Sequence, residues 1–173
     1  MKHLKFRFSP LCLFLISILF LGCSEGKTSS DSQKNIDLVN KYVQAVEALD
    51  YEGMGSLLDE NYIGIGPSIG DSINKSNALI NWEKNATTLY QSIKYKKSRT
   101  FSVSVTDGDQ PGNWVSNWAE VAITYQGDKG SVDLLANTIY KIENDKIVES
   151  YTFYNEADAL EQLGYVFINV NNL

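Results

Sequence analysis

The sequence predicts an α+β domain in which helices come first and an antiparallel meander follows. Three observations carry that reading. Apolar residues recur at spacings of three and four from Val39 to Leu49, and again from Leu79 onward, as one face of a helix requires. From Thr100 the period changes to two, the mark of a strand with unlike faces. Two long runs near the end, Val132 to Ile142 and Lys146 to Tyr154, are joined by Glu143-Asn144-Asp145, residues that tolerate the positive φ of a tight hairpin turn. Helices followed by hairpin-linked strands make a sheet with helices on one face.

The first residues read as a processing signal. Lys2, Lys5 and Arg7 form a positive start, and Leu11 to Leu21 is an almost unbroken apolar run. At about eleven residues it falls short of the roughly twenty that span a bilayer as a helix, and it matches a secretory core segment. Phe20-Leu21-Gly22-Cys23 resembles a bacterial lipobox, with loose matches at Phe20 and Leu21. The expectation is a signal peptide over 1–22 and acylation of Cys23, which holds the chain on a bilayer because each buried methylene contributes about 0.8 kcal/mol. Residues 23–34 carry no apolar side chain beyond Cys23 and read as a flexible tether. By lipoprotein sorting rules, Ser24 after the cysteine fits the bacterial outer membrane. The folded domain is then 35–173.

From Asn35 the stripe Val39, Tyr42, Val43, Val46 and Leu49 predicts a helix with Asn40, Lys41, Gln44 and Glu47 outside. Asp50 breaks it, and Met54, Leu57 and Leu58 predict a short second helix ending before Asn61. Tyr62 to Pro67 reads as a short strand entering a turn. Asp71 to Asn77 supplies Ser and Asn side chains to cap a third helix, whose face carries Leu79, Trp82, Ala86, Leu89 and Ile93.

Thr100 to Thr106 alternates Phe101, Val103 and Val105 against Ser102, Ser104 and Thr106. Gln110 to Asn113 is a turn. In Trp114 to Gln126, Val115, Ala119, Val121, Ile123 and Tyr125 share one side, and Trp114, Ser116, Trp118 and Glu120 the other. Gly127 to Gly130 turns into the closing hairpin, where Ile147, Glu149, Tyr151 and Phe153 alternate with Val148, Ser150, Thr152 and Tyr154.

The closing stretch, with Ile139-Tyr140-Lys141-Ile142, Asp145-Lys146-Ile147-Val148-Glu149, Tyr154-Asn155 and Leu163-Gly164, resembles the C-terminal hairpin of the NTF2-like, or SnoaL-like, superfamily. Leu57-Leu58-Asp59-Glu60-Asn61-Tyr62 resembles a segment of the same family. The resemblance runs from Ile36 to Gly164 and implies a cone: three N-terminal helices packed on a strongly curved, mostly antiparallel sheet around a small-molecule pocket. In catalytic relatives an acid–base pair of His and Asp moves a proton beside a carbonyl. Aligned on Lys146 to Glu149, the resemblance puts Ser150 at the His, Thr152 at the Asp and, loosely, Asn137 at an earlier His. Neither Thr nor Asn is a general base near neutral pH.

Composition narrows the chemistry further. Without the leader, twelve basic residues face twenty-one acidic ones, a balance of −9 that argues against nucleic acid. His3 and Cys12 lie in the leader and Cys23 at the lipidation point, so the folded part holds neither histidine nor cysteine. That excludes Ser-His-Asp and Cys-His catalysis and imidazole zinc sites. The acids show no calcium-loop spacing, and no cofactor or metal is expected. Glu120 and Asp133 are the carboxylates on strands that desolvation would turn into bases if they pointed inward; facing solvent or pairing with Lys is the alternative.

Tyr62, Trp82, Trp118, Tyr151 and Tyr154 are candidates to stack on a flat ligand, or else core or dimer-face aromatics. Asn137 and Thr152 are candidates to hydrogen-bond a ligand, or each other. Three readings stay open. The first is a non-catalytic binder of a small apolar molecule. The second is an interaction module, such as a homodimer, using the sheet face. The third is an isomerase-, cyclase- or dehydratase-like enzyme with a non-standard acid–base residue.

Overall fold

In a computed structural model, residues 25–172 are described. The leader 1–22 and Cys23 lie outside them. The chain divides into two compact units, Met1–Asp31 and Ser32–Leu173, and the second holds the whole sheet. Helix α1 spans Glu25–Glu47, α2 Tyr51–Leu57, α3 Lys75–Thr88 and α4 Glu156–Gln162. Strand β1 spans Leu58–Ile65, β2 Ser72–Asn74, β3 Tyr90–Val105, β4 Gly112–Tyr125, β5 Ser131–Glu143 and β6 Lys146–Tyr154.

Caps explain the helix starts. The Asp50 carboxylate accepts from Gly53 N–H at 2.8 Å, Asn74 Oδ1 from Asn77 N–H at 3.0 Å and Asn155 Oδ1 from Asp158 N–H at 3.2 Å. Each satisfies an N–H that the first helical turn leaves free. The β5–β6 hairpin turns on Asn144 and Asp145, both at positive φ (50° and 61°), as a primed two-residue turn demands.

The sheet order is β2-β1-β6-β5-β4-β3. Every neighbouring pair is antiparallel except β1 with β6, which is parallel. The sheet is curled and unclosed, with helices on its inner face. Val39, Tyr42, Val43 and Val46 of α1 pack with Met54 and Leu58 against Val115, Ala119, Val121, Tyr140 and Ile142 of the strands. Val132, Leu134 and Ala159 form a second cluster under α4.

Several boundaries differ from the sequence reading: β1 already begins at Leu58 rather than Tyr62, and Ser72–Asn74, read as the start of a helix, is β2. Helix α1 begins at Glu25 rather than Asn35, and Lys34, read as tether, pairs with Asp145 at 2.6 Å. Helix α3 stops at Thr88, and β3 begins at Tyr90. Leu89 and Ile93 prolong the helical spacing by coincidence; Ile93 faces Ile123 in the sheet. At β6 a register shift between the pairs Lys141–Glu149 and Ile142–Ile147 turns Ile147 to the core, away from the face of Tyr151 and Phe153.

Candidate functional site

Alternation along β4, β5 and β6 decides which side chains reach the interior. Asn117 faces Thr138 and Thr138 faces Thr152; Tyr140 faces Ser150, and Ala136 faces both Ala119 and Tyr154. These stand on the inner face. One residue away, Trp118, Asn137 and Phe153 form a row on the outer face. A one-residue step in a strand exchanges inside for outside.

The inner face and the helices border two adjoining, half-open lobes of about 250 Å³ and 450 Å³. Val46, Trp82, Tyr95, Thr138, Thr152 and Tyr154 line both. The first lobe lies under α4, against Leu160 and Leu163, with Tyr90 and Tyr125 on its far wall. The second runs between Tyr42, Tyr62 and Tyr140 on one side and Asn81 and Asn85 of α3 on the other.

Tyrosine dominates the walls, at seven of the ten in the chain. Tyr90 sits between Trp82 and Tyr125, with ring centroids 6.2 and 5.8 Å away, and Tyr42 meets Tyr140 edge-on at 5.7 Å. Burial pushes the Tyr90 and Tyr95 phenols up to about 12, with Tyr125 adding to the first and Glu47 to the second. Desolvation likewise raises Tyr42 and Tyr140 well above 10, and Tyr62 and Tyr154 above it. All are therefore neutral O–H groups near neutral pH.

Two hydroxyl pairs are built into the wall. Tyr62 Oη and Ser150 Oγ lie 2.7 Å apart, and the Thr138 and Thr152 hydroxyls 3.2 Å. Among the described residues, the only carboxylate lining either lobe is Glu156, at the start of α4. Such a cavity donates hydrogen bonds from neutral groups, stacks flat rings and, at its walls, offers no cation to an anionic ligand.

Of the predicted ligand residues, Tyr62, Trp82, Thr152 and Tyr154 come together in these lobes. Trp118 and Asn137 do not, which corrects the sequence reading. Trp118 is 46% exposed on the outer face, where the Arg99 guanidinium lies 5.1 Å from its ring. Asn137 Oδ1 accepts from Ser116 Oγ at 2.8 Å, on the opposite side of β5 from Thr152's partner. Tyr151 also faces outward, donating to Glu149 at 2.7 Å.

Glu120 and Asp133 are likewise outside the cavity. Lys97 Nζ donates to Glu120 at 2.7 Å and Lys96 Nζ to Asp133 at 3.0 Å, in exposed pairs on the outer face. Their role as inward acid–base residues is overturned by the same parity: Glu120 faces Leu135, and Asp133 faces Ala122. With Lys94 and Arg99, these lysines make a local cation cluster on β3 that the acidic overall balance conceals.

Tyr42, Tyr90, Tyr95, Tyr140 and Thr138 are wall residues that the sequence reading did not single out. Tyr90 and Tyr95 were hidden by the helical spacing that ran on to Ile93. Thr138 is one step from Asn137, the position aligned instead. Among the described residues no group of acids is placed to hold a metal ion, and no helix is long and apolar enough to cross a membrane.

The fold, a curled sheet with helices on its inner face, recurs in solved structures. A proposed polyketide cyclase from Pseudomonas putida superposes with a TM-score of 0.59 at 23% identity, covering 73% of this chain and 96% of that one. The fold is NTF2-like. A SnoaL-like protein from Shewanella denitrificans gives a TM-score of 0.60 at 11% identity, over 74% and 95% of the two chains. An NTF2-like protein from Burkholderia xenovorans gives 0.57 at 13%, over 76% and 97%. No family model and no curated protein matches the sequence. At these identities the NTF2-like cone is shared and the chemistry is not thereby transferred.

Proposed function

We propose that this NTF2-like domain binds, without turning over, a small, neutral, largely apolar molecule, and does so while tethered to a membrane through acylated Cys23. The observation that carries the first half is the pair of tyrosine-lined lobes. The larger lobe falls in the range of small-molecule sites, roughly 300–1,000 Å³, and the smaller lies just below it. Their walls hold mostly neutral hydroxyls and amides, with the Glu156 carboxylate at the edge of the first lobe. A flat ring with one or two acceptor oxygens satisfies Trp82 and Tyr90 by stacking and the phenols by hydrogen bonds. The leader, Cys23 and the polar stretch after it support tethering, with Ser24 favouring the outer membrane.

A thermal-shift screen of Ser32–Leu173 against steroid-like, polyketide-like and lipid-like compounds tests the binding reading. A ligand at a hundred times its Kd adds about 2.7 kcal/mol, which raises the Tm of a domain this size by roughly 5–10 °C. A hit that chemically changes on incubation would replace binding by catalysis. Silence across all three compound classes would remove the reading.

A second reading has its own observation. The outer face leaves Phe101, Val103, Trp118, Leu135 and Phe153 between 46% and 66% exposed, a contiguous apolar surface of the kind that marks interaction sites. On this reading the sheet face meets a second copy. Phe153→Glu would convert a dimer to a monomer in sedimentation, and a wild-type monomer would discard it.

A further inference from the structure

The smaller lobe differs from the larger in the chemistry of its lining. Trp82, Tyr90, Tyr125 and Tyr154 contribute four half-buried rings to it, with Tyr90 set between Trp82 and Tyr125 at 6.2 and 5.8 Å. Glu156, in the first turn of α4, brings a carboxylate to this lobe and not to the larger one. Among the described residues no lysine or arginine lines the lobe, and none pairs with Glu156.

We infer that the smaller lobe is a subsite for an organic cation, a quaternary ammonium group above all, held against Trp82, Tyr90, Tyr125 and Tyr154 with Glu156 as its counter-charge. The larger lobe, which Glu156 does not line, keeps the neutral ligand proposed above; the cation has a place of its own beside it. A cation within about 6 Å of a ring centroid is attracted by the quadrupole of the ring, most by Trp and next by Tyr, and more strongly where water is displaced. Size agrees with this assignment. At about 250 Å³ the lobe lies below the roughly 300–1,000 Å³ usual for whole small-molecule ligands and suits a compact head group.

The field in the lobe has the sign that a cation needs. Burial is the first cause that raises the Tyr154 phenol above 10, and Glu156, Tyr125 and Asp71 follow in that order. A potential that keeps a proton on this oxygen also favours a cation bound beside it. A methylated ammonium fits better than a primary one. A primary ammonium brings three N–H donors that need acceptors once water is removed, and the Thr138 and Thr152 hydroxyls on this wall already face each other at 3.2 Å. A quaternary head brings no donor and asks only for ring surface and a counter-charge. An acid in a first helical turn also meets the helix dipole. Asp158 meets that dipole in the same turn without lining the lobe, so the dipole alone does not account for where Glu156 stands.

Isothermal titration of the full chain, held in a non-ionic detergent at fixed ionic strength, tests this with choline and with its uncharged carbon isostere, dimethylbutanol. Choline should bind saturably and about tenfold more tightly than the alcohol, the order of difference that cation–π attraction in a partly dry site supplies. Glu156 is exposed, so Glu156→Gln should fold and narrow that ratio. Tyr90→Leu, which keeps an apolar wall without a ring, should narrow it as well. Equal affinity for the two compounds would overturn the inference and leave the neutral-ligand reading standing. Absence of saturable choline binding, or a ratio unchanged in both variants, would also overturn it, while a hit in the thermal-shift screen would still report on the larger lobe.

Discussion

The Tyr62 phenol and the Ser150 hydroxyl meet 2.7 Å apart across the seam of β1 and β6, the one parallel pairing among the described strands. Both residues are buried, at 6% and 5% exposure, and both line the larger lobe. The bond thus ties β1 to β6 and forms part of the cavity wall. Tyr62→Phe or Ser150→Ala strands one hydroxyl, and each should cost about 1 kcal/mol. The double variant should cost less than the sum, because its second change removes a group already without its partner. Urea unfolding of the four proteins measures this; strict additivity would mean that the two hydroxyls do not interact.

Ligand entry should be blocked by volume. Thr152 stands on the wall shared by both lobes, so Thr152→Leu adds bulk where they adjoin and removes a hydroxyl. The expected result is a folded domain whose Tm no longer responds to a ligand that shifts the wild type. Trp82→Ala should keep the response but weaken affinity about tenfold, through loss of stacking worth roughly 1 kcal/mol beyond area. An undiminished shift in Thr152→Leu would move the ligand out of the cone.

Glu120→Gln and Asp133→Asn should change neither ligand binding nor stability by more than about 0.5 kcal/mol. Their partners Lys97 and Lys96 are 72% and 53% exposed, and exposed pairs contribute little after screening by water and salt. Ligand titrations and denaturation curves that superpose with wild type are the expected readout. A large loss of ligand affinity in either variant would return that carboxylate to the site.

The difference between these predictions shows where the sequence was readable. The closing hairpin carries its own punctuation, since alternation, Asn144 and Asp145 all agree, and β6 has the bounds expected from its pattern. The inner wall was half legible. Tyr62, Trp82, Thr152 and Tyr154 line the cavity, while Trp118 and Asn137, candidates for the same role, face out. Face parity is a global property of the sheet, set by register and by the shift at β6, and it is not written at any one position. Tyr90 and Tyr95 were lost for a different reason: Leu79, Trp82, Ala86, Leu89 and Ile93 keep helical spacing past the point where Leu89 ends α3.

Tethering predicts a simple partition. Wild-type protein expressed with its leader should enter the detergent phase and incorporate radiolabelled palmitate, because acyl chains on Cys23 hold it there. Cys23→Ser should appear in the aqueous phase without label. Equal partition of the two would exclude the anchor and leave an ordinary secreted domain.

The tyrosine wall also fixes how stability depends on pH. Each of Tyr42, Tyr62, Tyr90, Tyr95 and Tyr140 has its folded-state pKa raised above 10 by burial. Unfolding therefore releases protons only once the solution passes the ordinary phenol value. Below pH 10 both states hold the proton, and these groups add no slope. Between 10 and the raised values, which reach about 12 for Tyr90 and Tyr95, the unfolded chain ionises first and stability is lost. The Tm contribution of the wall should thus be level through the neutral range and fall above pH 10. Phenolate absorbance should then rise in a cooperative step coincident with loss of the sheet signal. Tyr95→Phe, which removes one such proton, should make the alkaline fall shallower. A gradual, non-cooperative appearance of phenolate at the ordinary value, with the sheet intact, would show that these rings are open to water.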